Sequence, residues 1–208
     1  MKIQLALDLI DLEDAKQLVV ELGDLIDIIE IGTPMIIRYG TKSVSEIRRV
    51  CSKKKILADL KIMDAGADEA RIGFEAGADI ITVLAVADDT TISAAVNQSR
   101  ACDKEVMADL IGSANPAQRA VELDGMGVDY ICVHTGTDVQ ATGKDPLEEL
   151  RMVQPVLRHA RMAVAGGIKP MIMERLMPFE PDIVVVGGFI TSHEKPKQAA
   201  LQLHENLV

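Results

Sequence analysis

The chain repeats one motif four times, an aspartate followed by a short apolar run, as in Asp27-Ile28-Ile29-Glu30-Ile31 and Asp182-Ile183-Val184-Val185-Val186. The other two copies begin at Asp79 and Asp129, so the four aspartates lie 52, 50 and 53 residues apart. Each run is rich in isoleucine and valine, which is typical of a strand that is buried on both faces. The repeat therefore predicts four equivalent buried strands.

A second set of apolar runs lies between these four, and each begins with a basic residue. These runs are Lys2–Asp8, Lys55–Asp59, Lys104–Asp109 and Arg161–Gly166. Between the strands, amphipathic spacing predicts helices over 11–22, 88–100, 116–124, 145–158 and 195–206. Asn115-Pro116 has the residue types of a helix start, and Gly77 and Gly127 are expected to end two helices.

Eight strands alternating with eight helices predict an α/β fold with a parallel sheet and right-handed crossovers. The 208 residues divide into eight units of about 26 residues, which favours one (β/α)8 (TIM) barrel domain over residues 1–208. An open doubly wound sheet is the alternative. It is disfavoured because no GxGxxG follows the first strand and the repeat runs evenly to the end.

Composition excludes several classes of partner. With 22 Lys and Arg against 32 Asp and Glu, the net charge is −10, which argues against extended contact with nucleic acid or an anionic membrane. The three cysteines form neither a disulfide framework nor a CxxC metal motif. No signal peptide and no apolar run of about 18 residues is evident. We therefore expect a cytoplasmic protein.

Polar residues stand where the apolar runs stop. In a (β/α)8 barrel the active site is built at the C-terminal ends of the strands. Five of the predicted strands end in, or carry near their ends, a charged or titratable side chain: Asp8, Glu30, Asp59, Asp109 and His134. This distribution predicts an active site at that edge of the barrel.

The densest cluster of charges is Asp59-Leu60-Lys61-Ile62-Met63-Asp64. In an extended strand, Asp59 and Lys61 project to the same side, and the carboxylates keep the lysine protonated. A fixed ammonium at a strand end suits the oxygen of an enediolate intermediate. The alternative is a surface ion pair, with Asp64 acting as a helix N-cap.

Glu30 and Asp59 lie on neighbouring predicted strands and could share one Mg²⁺, which takes one or two protein carboxylates. The alternative is that both only hydrogen-bond to their neighbours. His134 faces the same edge and is a candidate general base, although a lone histidine at a strand end is often structural. Cys132 is expected to be a small buried thiol, and the role of Asp109 stays open.

Two glycine pairs, Gly166-Gly167 and Gly187-Gly188, end the seventh and eighth predicted strands. Loops at these two places in (β/α)8 barrels often bind phosphate through backbone N–H groups. Ordinary turns are the alternative reading of any one pair. Taken with the charged cluster, the pairs predict an enzyme that acts on a phosphorylated sugar or acid.

The three remaining histidines, His159, His193 and His204, are expected at the surface.

The motif Asp59-x-Lys61-x-x-Asp64 resembles the DxKxxD motif of the orotidine 5′-monophosphate decarboxylase suprafamily, and the resemblance covers essentially the whole chain. Three further stretches look like the branch that joins formaldehyde to D-ribulose 5-phosphate with Mg²⁺, giving D-arabino-3-hexulose 6-phosphate. These stretches are Leu5–Asp8, Ile29–Pro34 and Cys132–Gly136. The resemblance thus implies an aldolase-type lyase in formaldehyde fixation.

The resemblance also implies roles for individual residues. Glu30 and Asp59 would bind Mg²⁺, and Asp8 and Lys61 would contact the hydroxyls and enediolate of the substrate. His134 would move the C1 proton, and the two glycine pairs would hold the phosphate. Members of the suprafamily are homodimers, in which the residue matching Asp64 reaches the active site of the neighbouring subunit.

A related branch forms the same enediolate by decarboxylating 3-keto-L-gulonate 6-phosphate. It carries an arginine three residues after the histidine, where this chain has Thr137. Many members also have Gly-Arg after the eighth strand, where this chain has Gly187-Gly188-Phe189, so phosphate binding would depend on backbone donors. A catalytically silent barrel that binds a sugar phosphate is a third hypothesis.

Overall fold

Eight parallel strands close into a barrel in the computed structural model, which describes residues 1–143 and 145–205. Each strand pairs with the next one, and β1 pairs with β8 to complete the ring. The strands are β1 Lys2–Leu7, β2 Ile28–Ile31, β3 Lys55–Ile62, β4 Ile80–Leu84, β5 Glu105–Asp109, β6 Tyr130–His134, β7 Arg161–Ala165 and β8 Ile183–Val186. The predicted (β/α)8 fold class is confirmed, and the open-sheet alternative is wrong.

Eleven α-helices are found in the described residues, where the sequence predicted eight. They are α1 Leu12–Leu22, α2 Thr33–Tyr39, α3 Lys42–Val50, α4 Gly66–Glu75, α5 Asp89–Ala101, α6 Pro116–Met126, α7 Thr137–Gln140, α8 Leu147–Val153, α9 Pro170–Leu176, α10 Gly188–Thr191 and α11 Pro196–Glu205. The connections after β2, β6 and β8 each hold two helices. Within the described ranges, no helix is long and apolar enough to cross a membrane.

The predicted helix boundaries agree with the structure where a capping residue starts the helix, and one predicted helix is too long because it runs past a proline. Asp88 and Asn115 cap α5 and α6 by accepting hydrogen bonds from Thr90 N and Gln118 N. The predicted helix 145–158 is too long, because α8 ends at Val153 and a 3₁₀ turn over Gln154–Val156 follows. Pro155 lies in that turn and has no N–H to continue an α-helix. The predicted end of α11 at residue 206 lies outside the described residues.

The barrel interior explains why the apolar runs are nearly continuous. One set of side chains packs between the strands and the helices, and a second set fills the inside of the barrel. The inner set is Ala6, Ile28, Leu57, Ile80, Met107, Tyr130, Cys132, Ala163, Ala165, Ile183 and Val185. Polar side chains begin at the C-terminal edge of this packed layer, which therefore forms the floor of the candidate site.

The four repeated aspartates share one structural role at the opposite, N-terminal edge of the barrel. Each carboxylate accepts a hydrogen bond from a backbone N–H near the start of the preceding strand. The donors are Ile3 N to Asp27, Ile56 N to Asp79, Val106 N to Asp129 and Met162 N to Asp182, at 2.8 to 3.0 Å. These bonds pair β1 with β2, β3 with β4, β5 with β6 and β7 with β8.

Asp79 differs from the other three in pairing with two cations, Arg48 and Lys104, whose Nζ lies at 2.6 Å. These contacts lower the pKa of Asp79 against the opposing effect of partial burial. A carboxylate with a lowered pKa stabilises the fold above its unfolded pKa, and this stabilisation is lost as the pH falls through the folded pKa.

We therefore expect Asp79→Ala to lower the free energy of unfolding at neutral pH by about 1–3 kcal/mol, since it leaves a backbone donor and two cations without their acceptor. Asp182→Ala is the matched control, because Met162 N is the donor it loses, and we expect the smaller effect. Urea unfolding measures both variants. Equal losses in the two variants, or a loss for Asp79→Ala that does not shrink as the pH falls through the lowered pKa of Asp79, would contradict this account.

Candidate active site

Lys61 lies at the centre of a buried charge cluster at the C-terminal edge of the barrel. Its Nζ is 2.8 Å from Asp109 Oδ2 and 3.1 Å from Asp59 Oδ2. His134 Nδ1 is also 2.8 Å from Asp109 Oδ2. Asp59 and Asp109 are both buried. The structure thus brings together Asp59, Lys61 and His134. Asp109, whose role the sequence left open, contacts both Lys61 and His134.

The backbone at Lys61 is not extended, contrary to the expectation for this strand. Its φ is +46°, and the pairing of β3 with β4 shifts between Ala58 and Ile62. Four steps along β3, from Ala58 to Ile62, face only two steps along β4, from Ile81 to Val83. Lys61 therefore reaches the site from an irregular bulge, and the surface ion-pair alternative is wrong for Lys61 and Asp59.

Asp59 is held by two hydroxyl groups that the sequence analysis did not single out. Thr33 Oγ1 lies 2.7 Å from Asp59 Oδ2, and Thr82 Oγ1 lies 2.7 Å from Asp59 Oδ1. A signal for Thr82 was available, because it is a polar residue inside the apolar run Ile80–Leu84. Both carboxylate oxygens of Asp59 are therefore oriented before any ligand binds.

Glu30 is a buried acid beside Asp59. Burial is the main cause that raises its pKa, the charge of Asp59 adds to the effect, and the resulting pKa is about 8. Gln4 Nε2 donates to Glu30 Oε2 at 2.7 Å, which fixes one oxygen of the carboxyl group. Gln4 Oε1 has no hydrogen-bond partner among the described residues. Gln4 is a third site neighbour that the sequence analysis missed.

Asp8 follows β1 and lies against two glycines. A Cβ at Gly32 would stand 1.9 Å from Asp8 Oδ1, so no larger residue fits at position 32 without moving Asp8. Gly187 is close to the other oxygen, Asp8 Oδ2. Burial raises the pKa of Asp8, and the charge of Asp59 adds to this effect. Asp8 thus belongs to the same electrostatic site as Glu30, Asp59 and Lys61.

The tautomer of the His134 ring follows from the ionised state of Asp109. Burial opposes ionisation of Asp109, but its contacts with His134 and Lys61 prevail and lower its pKa to about 2. Asp109 is then an acceptor only, so we assign the proton between the two residues to His134 Nδ1. This leaves Nε2 free to accept a proton. Asp59 and Asp109 likewise raise the pKa of Lys61 against the effect of burial, so its amine is an ammonium ion.

The glycines after β7 adopt conformations that other residues rarely take. Gly166 has a φ of +108° and Gly167 a φ of +67°. A Cβ on Gly166 would stand 2.3 Å from Thr135 O, in the segment that follows His134. Gly187 and Gly188 lie after β8, and Gly188 opens α10. The loop after β7 therefore requires glycine on steric grounds, whereas a Cβ at Gly188 would meet no atom within 4 Å. The phosphate role of the two pairs stays a prediction.

Asp64 makes no contact with the charged cluster in the described structure, whereas Cys132 packs close enough to it to be affected by its charges. Asp64 is exposed and accepts a hydrogen bond from Ala65 N at 2.7 Å. Cys132 is buried in the inner layer, and burial raises the pKa of its thiol, so it is a neutral packing residue as predicted. His159 and His193 are exposed as expected, whereas His204 is half-buried and bonds Leu25 O.

Glu30 and Asp59 have the chemistry of a hard-cation site, because both are carboxyl groups and the charge of Asp59 helps to raise the pKa of Glu30. No group of three or more His, Cys, Asp or Glu residues suited to a metal occurs in the described ranges. A cation here would take two protein carboxylates and complete its shell with water and substrate oxygens. This is the coordination that Mg²⁺ commonly uses.

The fold and this cluster define a (β/α)8 barrel with an acid–lysine–histidine site at the mouth of the barrel. Residues 1–203 match the family model described as Orotidine 5′-phosphate decarboxylase / HUMPS family. The chain therefore belongs to that family.

Several relatives are similar over their full length. A 3-hexulose-6-phosphate synthase from Bacillus subtilis is 45% identical over 208 residues, covering 100% of this chain and 99% of that protein. The crystal structure of a 3-hexulose-6-phosphate synthase from Salmonella typhimurium matches with a TM-score of 0.96 and 40% identity, covering 100% and 98% of the two chains. A 3-keto-L-gulonate-6-phosphate decarboxylase from Vibrio cholerae matches with a TM-score of 0.88 and 28% identity, covering 99% and 96%.

The raised pKa of Glu30 leads to a prediction about stability. An unfolded glutamate has a pKa of about 4.3, so between about pH 4.3 and 8 the native state keeps a proton that the unfolded state loses. Stability therefore falls as the pH rises through this window. Glu30→Gln stays neutral and can still accept the bond from Gln4.

With a chelator present, we expect Glu30→Gln to melt at a higher temperature than wild type at about pH 9 and at a similar temperature near pH 5. Thermal unfolding followed by circular dichroism measures the difference. Glu13→Gln is the control, since Glu13 is exposed on α1. A constant difference between Glu30→Gln and wild type across this pH range would contradict the assignment.

Proposed function

We propose that this protein is a 3-hexulose-6-phosphate synthase, an aldehyde-lyase that condenses formaldehyde with D-ribulose 5-phosphate to D-arabino-3-hexulose 6-phosphate. The observation that carries the proposal is the ammonium of Lys61, held between Asp59 and Asp109 at the mouth of the barrel. The full-length similarity to relatives of that name supports the same activity.

The metal proposed for this site is Mg²⁺, held by Glu30 and Asp59. When bound, it would polarise the substrate carbonyl and stabilise negative charge on oxygen. Its binding requires Glu30 to lose a proton, because a carboxylate is the ligand and the pKa of Glu30 is raised to about 8.

The chain's own residues divide the remaining work. His134 Nε2 accepts the proton from C1 of the pentulose phosphate, while Asp109 holds Nδ1 and stabilises the imidazolium that forms. Lys61 places its ammonium beside the developing enediolate oxygen, and Asp8 accepts a hydrogen bond from a substrate hydroxyl. C1 of the enediolate then attacks the carbon of formaldehyde, and the new alkoxide takes up a proton.

The phosphate group is assigned to the loops after β7 and β8. Gly166, Gly167, Gly187 and Gly188 would offer backbone N–H groups to it. Phe189 follows the second pair, so no guanidinium is supplied at that position. Phosphate binding would then depend on backbone donors.

The alternative activity is that of a 3-keto-L-gulonate-6-phosphate decarboxylase, which uses the same enediolate. The solved Vibrio cholerae structure of that name favours it, because it shares nearly the whole fold with this chain. Thr137 argues against it, since Thr137 occupies the position at which the decarboxylase branch carries arginine.

We further propose that the enzyme is a cytoplasmic homodimer with shared active sites. Asp64 is exposed and makes no contact with the cluster of its own chain in the described structure. Reaching the site of a second copy would give this carboxylate a catalytic role.

The direct test measures formaldehyde consumption by the purified protein. We expect consumption only when D-ribulose 5-phosphate and Mg²⁺ are both present. Lys61→Ala should reduce the rate at least about a hundredfold, since it removes the main cationic donor to the enediolate. Lys16→Ala is the control, because Lys16 pairs with Glu13 and Glu46 and not with a site residue.

Three outcomes separate the hypotheses. No formaldehyde loss beyond a heat-killed sample would refute the synthase. Faster CO₂ release from 3-keto-L-gulonate 6-phosphate than formaldehyde condensation would favour the decarboxylase. Absence of both, and of proton exchange at C1 of D-ribulose 5-phosphate in D₂O, would leave a silent binding barrel.

Mixing two inactive variants tests the shared site. Lys61→Ala and Asp64→Ala subunits, each inactive alone, should regain up to about a quarter of wild-type activity after joint unfolding and refolding, since each mixed dimer has one intact site. Two portions of Lys61→Ala treated in the same way form the control. No recovery in mixed dimers confirmed by mass would contradict a role for Asp64 across the interface.

A further inference from the structure

The backbone of Lys61 is strained at the point where its position matters most. A φ of +46° is unusual for a residue with a Cβ, and such conformations persist only when their surroundings hold them in place. The bulge in β3 removes the regular ladder contacts there, because pairing with β4 resumes only at Ile62. Another contact must therefore fix the amide of Lys61.

Thr82 provides that contact from the neighbouring strand β4. Its Oγ1 lies 2.9 Å from Lys61 N and 2.7 Å from Asp59 Oδ1. The Lys61 N–H can only donate, so the hydroxyl accepts from it and turns its own single proton toward Asp59. The Thr82 hydroxyl thus links the strained amide of Lys61 to the Asp59 carboxylate, with which the ammonium of Lys61 pairs. Thr82 is 3% exposed, so water cannot easily replace it.

We infer that Thr82 is a positioning residue that sets the geometry between the Lys61 ammonium and the Asp59 carboxylate. The inference rests on the proposed function, because it assigns importance to the place of that ammonium beside an enediolate. Thr33 also touches Asp59, but its hydrogen bonds go to the carboxylate and the carbonyl of Asp59 and not to Lys61. Thr82 therefore couples the two charged groups in a way that Thr33 does not.

Substitutions at position 82 separate the hydroxyl from the side-chain volume. Thr82→Val keeps the branched shape and loses both hydrogen bonds, whereas Thr82→Ser keeps the hydroxyl. Ser99→Ala is the matched control: Ser99 is also buried and its hydroxyl bonds Val96 O. It lies near the end of α5 that leads into β5, on the opposite edge of the barrel.

The kinetic measurement is C1 proton exchange of D-ribulose 5-phosphate in D₂O with Mg²⁺ present. We expect Thr82→Val to lower kcat by about 10–100-fold, because small displacements of a charged group are costly in rate. KM should change little, since the phosphate is assigned to other loops. Thr82→Ser should stay within about threefold of wild type, and Ser99→Ala should match it.

A crystal structure of each variant gives a readout that needs no activity. We expect Lys61 in Thr82→Val to leave the positive-φ region and its Nζ to move beyond about 3.5 Å from Asp59 or Asp109. Wild-type geometry in Thr82→Val, or a kcat equal to that of Ser99→Ala, would overturn the inference. Should Thr82→Val fail to fold, Thr82→Ala is measured against the same expectations.

The two proposals fail in distinguishable ways. A wild-type protein without exchange activity contradicts the proposed function, and the crystal structures then decide the role of Thr82 alone. An active wild type with an equally active Thr82→Val leaves the function standing and removes the role of Thr82.

Discussion

Four carboxyl groups, three of them buried and one half-buried, lie around one ammonium, and this is the constraint on which the site depends. Asp8, Glu30, Asp59 and Asp109 lie at the mouth of one barrel, and Lys61 is the lysine that pairs with two of them. A buried carboxyl group is tolerated only when it is paired with a cation, bound to a metal ion or kept neutral by a proton. Asp109 therefore stays ionised beside Lys61 and His134, while the pKa of Glu30 rises. Acids and bases of different strength thus arise within one pocket.

The barrel could be predicted from sequence because its repeat is regular. The four aspartate motifs mark four strands, and the structure explains the motif by the bond each carboxylate accepts from a backbone N–H. The number of helices was not predictable in the same way. Gly40, with a φ of +65°, separates α2 from α3 in a connection where one helix was expected. Pro155 lies in the turn that follows α8 and shortens the helix predicted over 145–158.

The charged members of the site were predictable, and the roles of the residues that support them were not. Lys61, Asp59 and His134 interrupt apolar runs, so their residue types alone indicate chemistry. Thr82 and Gln4 also lie inside apolar runs, but neither residue type by itself indicates chemistry. The role of Thr82 depends on the register shift between β3 and β4, and that of Gln4 depends on its distance to Glu30 on the neighbouring strand. The residue spacing within a single strand predicts neither.

The backbone carbonyls of Asp79, Asp129 and Asp182 join one pair of strands to the next. The side-chain bonds of the four aspartates to backbone N–H groups at the base of the barrel instead each join the two consecutive strands of one pair. These bonds span only 20 to 24 residues of sequence, so each quarter of the ring can close on itself early in folding. The charged cluster is different, because β3, β5 and β6 come from two separate quarters. Closing one quarter therefore does not assemble the cluster, which requires two quarters of the ring to pack against each other.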